Sequence, residues 1–117
     1  MPKDYEQITR GVSASLRGFR KSKPDFMGAF DAMADAALRD GALDKTTKEL
    51  IALALGVAGH CDACIGFHVR TLVRLGASRD AIEEALGVAV YMGGGPSLMY
   101  AADALAAYEQ MTAPAPG

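Results

Sequence analysis

The chain is 117 residues long, half of them apolar, with no tryptophan, 7% aromatics and a formal charge of −2. That length suits one domain, and its core has to be built from Ala, Leu, Val, Ile and Met, which favours closely packed helices. A pI near 5.6 speaks against nucleic acid as a partner, because phosphate binding draws on clustered Lys and Arg.

The densest basic stretch, residues 17–23, carries four cations and reads as a solvated helix end. A mean hydropathy of +0.11 is high for a small chain that stands alone, and points to contacts between subunits. The longest apolar run, residues 50–59, falls short of the ~18 residues that suggest a membrane span. Lys3, Asp4, Glu6 and Arg10 leave no apolar signal segment at the start, so no membrane partner and a cytoplasmic location are expected.

Helical periodicity runs through the chain, and no alternating strand pattern is found. Ile8, Val12 and Leu16 recur every four residues on a first helix, about residues 5–19. Pro24 breaks or restarts the chain. A second helix carries Phe26, Phe30, Met33, Ala34, Ala37 and Leu38, with Gly41 as its stop. Asp44 reads as the N-cap of a third, which holds Glu49 and then Leu50, Ile51, Leu53, Ala54, Leu55, Val57 and Ala58. Its second half is apolar on every side and is expected to be buried all round, ending near Gly59.

A fourth helix begins near His60–Cys61 and runs to Leu75, closed by Gly76. Ser78 caps a fifth, striped by Ile82, Leu86 and Val90. Gly93-Gly94-Gly95-Pro96 is a strong breaker. Without a preceding strand or a following Lys-Ser/Thr it reads as a tight turn with close helix approach, not a phosphate loop. A sixth helix, about residues 97–111, carries Leu98, Ala101, Ala102, Leu105 and Tyr108. The expected organisation is one helical domain, residues 1–111, and a disordered Pro/Ala/Gly tail, residues 112–117.

The chemistry is concentrated between positions 60 and 68. With about 100° per helical residue, Cys61, Cys64 and His68 share one face, and Cys64 and His68 form an i,i+4 pair. A neighbouring imidazole can accept a thiol proton or, as a cation, favour the thiolate, which is the nucleophilic form. The helix N-terminus works in the same direction. A second thiol one turn away can close a disulfide once the first is oxidised. Two cysteines this close, in a reducing compartment, point to redox chemistry or metal.

Glu49 lies ten residues before Gly59 and His68 nine after. An antiparallel hairpin about Gly59 would bring them level, where the carboxylate can orient the imidazole and support its charged form. One continuous helix would instead separate Glu49 from Cys61 by about 18 Å. His60 caps the fourth helix or lines the site. A plainer reading makes His60, Cys61, Cys64 and His68 a zinc site, although a structural zinc usually staples segments far apart in sequence. Another leaves the cysteines as inert core residues.

Glu49, Cys61-x-x-Cys64-x-x-x-His68, the segment Glu49-Leu50-Ile51-Ala52-Leu53-Ala54 and the later glycine run together resemble the alkylhydroperoxidase-D-like branch of the carboxymuconolactone decarboxylase family. The resemblance spans residues 44–108. It implies an all-α fold of about six helices in an orthogonal or antiparallel bundle, assembled as trimers or hexamers. It also implies a peroxiredoxin-like peroxidase, or disulfide oxidoreductase, that needs no cofactor. Cys64 would attack the peroxide, Cys61 would resolve the product as a disulfide, and His68 and Glu49 would relay protons. An external dithiol would restore the thiols. The pattern departs at Ala63, where the best-studied members have a histidine. The family name also carries lactone decarboxylation, but members assigned that reaction generally lack the cysteine pair.

Overall fold

In the computed structural model, which describes residues 3–114, every helix start except that of α4 is set by a local signal that is readable in the sequence. The helices are α1 (Tyr5–Ser22), α2 (Pro24–Leu38), α3 (Lys45–Ala58), α4 (Asp62–Arg74), α5 (Arg79–Gly93) and α6 (Gly95–Thr112). Asp4, Asp44 and Ser78 accept hydrogen bonds from the backbone N–H three residues on, at Gln7, Thr47 and Ala81. Each thereby satisfies one orphan donor of a first turn. Pro24 and Pro96 lie in the first turns of α2 and α6, where a missing N–H costs nothing. Among the described residues there is no strand, as an all-α fold of about six helices requires.

α3 and α4 form an antiparallel hairpin at the centre. α5 packs against α3, α6 lies across α4 and α5, and α1 covers the other side of α4. The core is the common filling of these contacts: Leu53 and Val57 from α3, Ile65, Val69 and Leu72 from α4, Ile82 and Leu86 from α5. Tyr5 enters from α1, and Ala101, Ala104 and Ala107 from α6. The α1–α4 crossing is close because α4 carries a glycine there: a Cβ on Gly66 would stand 2.6 Å from Thr9 Cγ2.

The inward faces differ from the sequence expectation in four helices. On α1 the fully buried positions are Tyr5 and Thr9, while Ile8, Val12 and Leu16 are half-buried. On α6 the buried stripe is Ser97, Ala101, Ala104 and Ala107, and Leu98 is exposed. Small side chains face inward on α6 because they let its axis approach its neighbours, so the largest apolar residues do not mark its buried face. α3 is not buried all round: Leu53 and Val57 face the core, whereas Ile51 is 46% and Leu55 68% exposed.

α2 stands furthest from expectation. Only Met27 is buried, and Phe26, Phe30 and Met33 are exposed, because among the described helices α2 packs on α1 and α3 alone. It is tied to α1 by the Arg20–Asp31 ion pair at 2.6 Å and by the Phe19 and Phe26 rings, 5.7 Å between centroids. It ends at Leu38, not at Gly41; Arg39 donates its N–H to Asp35, and Gly41 hydrogen-bonds Leu43 within the following loop.

Two helix ends use the same reversal. After α4, the N–H groups of Gly76 and Ala77 return to Val73 and Leu72, and Gly76 has φ +76°. After α3, His60 and Cys61 return to Val57 and Gly56, and His60 takes the left-handed position with φ +55°. Both are Schellman turns, one closed by the expected glycine and one by a histidine. The glycine run makes the tight turn expected of it: Gly94 has φ +79°, and Gly93 lies directly against Ser97. α6 extends to Thr112, the first residue of the expected tail; residues 115–117 of that tail lie outside the described residues. No helix among the described residues is long and apolar enough to cross a membrane.

Candidate active site

Glu49 is the buried acid of the α3–α4 hairpin, 2% exposed. A carboxylate held away from water needs partners, and it has two. His68 Nδ1 lies 2.6 Å from Glu49 Oε2, and Lys45 Nζ lies 3.2 Å from Oε1. Lys45 sits one turn before Glu49 on α3, while His68 reaches over from α4. The turn at residues 59–61 thus places level two residues separated by nineteen positions. Nδ1 is engaged by the carboxylate, so Nε2 is the ring nitrogen left for exchange with another group.

Cys61 and Cys64 are joined in a disulfide, with Cα atoms 5.2 Å apart. Their relation is not quite the one that helical spacing suggests. Cys61 is not in the helix; it is the N-cap of α4, with extended backbone, and its Sγ accepts the Cys64 N–H at 3.2 Å. The sulfurs meet through the cap geometry. Both cysteines are half-buried, and His68 lies one turn beyond Cys64 with its side chain 26% exposed. α3 approaches Cys64 so closely that a Cβ on Gly56 would stand 3.0 Å from Cys64 Cβ.

His60 does not cap α4, a role that Cys61 takes. It turns to α6 and stacks on Tyr100, with centroids 4.7 Å apart and ring planes within 6°. The zinc tetrad of His60, Cys61, Cys64 and His68 is therefore not assembled. The sulfurs are bonded to each other, and among the described residues no three His, Cys, Asp or Glu side chains are grouped as metal ligands.

Several residues at the site carry no motif. Lys45 is the partner of Glu49, and the i,i+4 spacing on α3 is its only signal. Asp62, the first residue of α4, accepts from Lys3 Nζ and from the Tyr5 hydroxyl, both at 2.9 Å. Lys3 also reaches Asp103 on α6 at 2.9 Å and lies 4.8 Å from the Tyr100 ring centre. The two carboxylates hold the Lys3 ammonium well above its usual range. Burial, then the Asp62 hydrogen bond, pushes the Tyr5 phenol up, keeping it a neutral donor. These partners lie 57 to 100 positions apart, and pairing at that distance leaves no local pattern.

Relatives match most of the length of the chain. A protein of Cupriavidus necator is 42% identical over 97% of this chain and all of its own length. Protein 4 in the cox locus of Paracoccus denitrificans is 37% identical over 86% of this chain and 90% of its own. The crystal structure of an apo carboxymuconolactone decarboxylase family protein from Legionella pneumophila superposes with a TM-score of 0.91 at 56% identity, covering 92% of this chain and 96% of that one. A Thermotoga maritima structure superposes with a TM-score of 0.75 at 28% identity, covering 87% and 93%. Residues 24–107 match the family model described as Carboxymuconolactone decarboxylase family. With this match over most of its length, and with a cysteine pair consistent with the alkylhydroperoxidase-D-like branch, the chain belongs to the carboxymuconolactone decarboxylase family.

Proposed function

We propose that the chain is a thiol-dependent oxidoreductase that reduces alkyl hydroperoxides through a dithiol–disulfide cycle at Cys61 and Cys64. The observation that carries this reading is the disulfide at the start of α4, with the Glu49–His68 pair one helical turn beyond Cys64. The Cys64 thiolate attacks the terminal oxygen of the hydroperoxide. The O–O bond breaks, Cys64 becomes a sulfenic acid, and the departing alkoxide takes a proton from His68 to leave as the alcohol. The Cys61 thiolate then attacks Cys64 Sγ. An S–S bond forms, and hydroxide leaves and is protonated to water. An external dithiol returns both sulfurs to thiols by exchange and is itself oxidised to a disulfide.

The positions of the residues support these roles. Cys61 Sγ at the helix N-cap sits against a backbone N–H, which suits a thiolate waiting to resolve. Cys64 has His68 at i+4 for proton transfer. Glu49 fixes the His68 ring and its tautomer, and Lys45 balances the carboxylate. A working dithiol needs a reducing compartment, which the cytoplasm provides. We include self-association in the proposal, in the trimer or hexamer that the family resemblance implies. Phe26, Phe30, Met33, Leu55, Tyr91 and Met92 support it, because all are at least half exposed on one protomer.

The deciding experiment counts free thiols in the reduced protein before and after one equivalent of an organic hydroperoxide. Loss of two thiols per chain, and loss of turnover in Cys64→Ser, is expected. Unchanged thiols, with Cys64→Ser as active as the parent, would overturn the reading. The family's name carries the competing reaction. Undiminished turnover of a carboxylated muconolactone by a Cys61→Ser/Cys64→Ser double variant would favour decarboxylation instead.

A further inference from the structure

The only non-glycine residue with positive φ among the described residues is His60, immediately before Cys61. Immediately after Cys61, Asp62 takes two hydrogen bonds, one from Tyr5 of α1 and one from Lys3 just before it. Both neighbours of Cys61 are thus anchored by distant parts of the chain. His60 is stacked on Tyr100, and Asp62 is held by Lys3 and Tyr5. Lys3 also binds Asp103, which follows Tyr100 by one helical turn on α6. One ammonium therefore sits between two carboxylates at the same end of α4 as the disulfide.

We infer that Asp62 and Lys3 are positioning residues that set the reduction potential of the Cys61–Cys64 pair, through the charge they place beside the Cys61 cap. This rests on the dithiol–disulfide reading above. Reduction of the disulfide delivers two electrons and creates, at Cys61, a sulfur able to carry negative charge against the α4 N-terminus. The carboxylates of Asp62 and Asp103 oppose that charge, and the Lys3 ammonium between them offsets one of the two. The cluster carries a net charge of about −1 when all three groups are ionised. Removing the ammonium makes the surroundings more negative, disfavours the thiolate and stabilises the disulfide. Removing a carboxylate does the reverse. Tyr5 holds Asp62 in place without adding charge, and its loss loosens the anchor while leaving the charge balance as it was.

Opposite signs separate this role from a merely structural one, because simple loosening of the turn would move all variants the same way. The experiment equilibrates the full-length protein and its variants with a dithiothreitol redox buffer at about pH 8, near the thiol range, and measures the fraction oxidised. Lys3→Met is expected to shift the dithiol–disulfide constant towards the disulfide by about threefold to tenfold, and Asp62→Asn towards the dithiol by a similar factor. Tenfold corresponds to about 30 mV. Asp103→Asn follows Asp62→Asn in direction without touching the first turn of α4, so it decides the matter if Asp62→Asn does not fold. In a Cys64→Ser background the Cys61 thiol pKa, read from thiolate absorbance, should rise with Lys3→Met and fall with Asp103→Asn. A parent protein whose cysteines do not cycle at all would defeat the functional reading itself. A parent that cycles, with variants that leave the constant unchanged or shift it in one common direction, would defeat only the inference about Asp62 and Lys3.

Discussion

Glu49 shows how a single residue can organise a site without touching a sulfur. Its carboxylate is buried, and both oxygens are taken, one by His68 and one by Lys45. Glu49→Gln keeps the size and removes the charge that fixes the imidazole. Peroxide consumption is expected to fall by about 100-fold, while Cys61 and Cys64 still form their disulfide. A stopped assay for peroxide, run beside a thiol count, checks both halves. The pair is legible in the sequence because Glu49 and His68 are almost equidistant from Gly59. The capping role of Cys61 is not legible, because a thiol is an uncommon N-cap and Ser, Thr, Asp and Asn are the residues that advertise one.

At the scale of helices, starts are easier to read than faces. Asp44 and Ser78 are recognisable caps, and Pro24 and the glycine run are recognisable breaks, because each acts on its own backbone within a turn. The buried face of α6 is not recognisable, since Ala104 and Ala107 face inward for their smallness and Leu98 lies outside the stripe. Two predictions belong here. Hydrogen bonds from Thr47, side chain then backbone, hold the Asp44 carboxyl below its usual range. A depressed folded-state pKa contributes stability that is present above the unfolded value and lost as pH falls through the folded one. Asp44→Asn should therefore flatten the acid limb of a stability–pH curve below about pH 4, as followed by helical circular dichroism. Gly66→Ala, by contrast, forces a methyl into Thr9 where α1 crosses α4. It should cost about 1–3 kcal/mol, visible as a lower denaturant midpoint with an unchanged slope.

For the molecule as a whole, the unfinished parts are on the outside. Phe26, Phe30 and Met33 line one side of α2, and Leu55, Tyr91 and Met92 project from α3 and α5. A sequence records that these residues are apolar, but not whether a neighbouring helix or a neighbouring chain covers them, which is why α2 reads as an ordinary core helix. Light scattering coupled to size exclusion is expected to give a multiple of the 12.2 kDa chain mass. Phe30→Glu, which places a charge on the exposed side of α2, should lower that mass without reducing helix content. A parent protein running at the mass of one chain would refute self-association.

Gly56 has no reactive group, yet its missing side chain determines how near the acid-bearing arm of the hairpin can come to the sulfur-bearing one. Any larger residue there would act as a shim between the two arms. The gap it opened would be felt where Glu49, two turns back along one arm, meets His68, one turn past Cys64 on the other. The Glu49–His68 spacing that the proposed proton transfer uses thus depends on a position that no inventory of titrating or nucleophilic side chains would include.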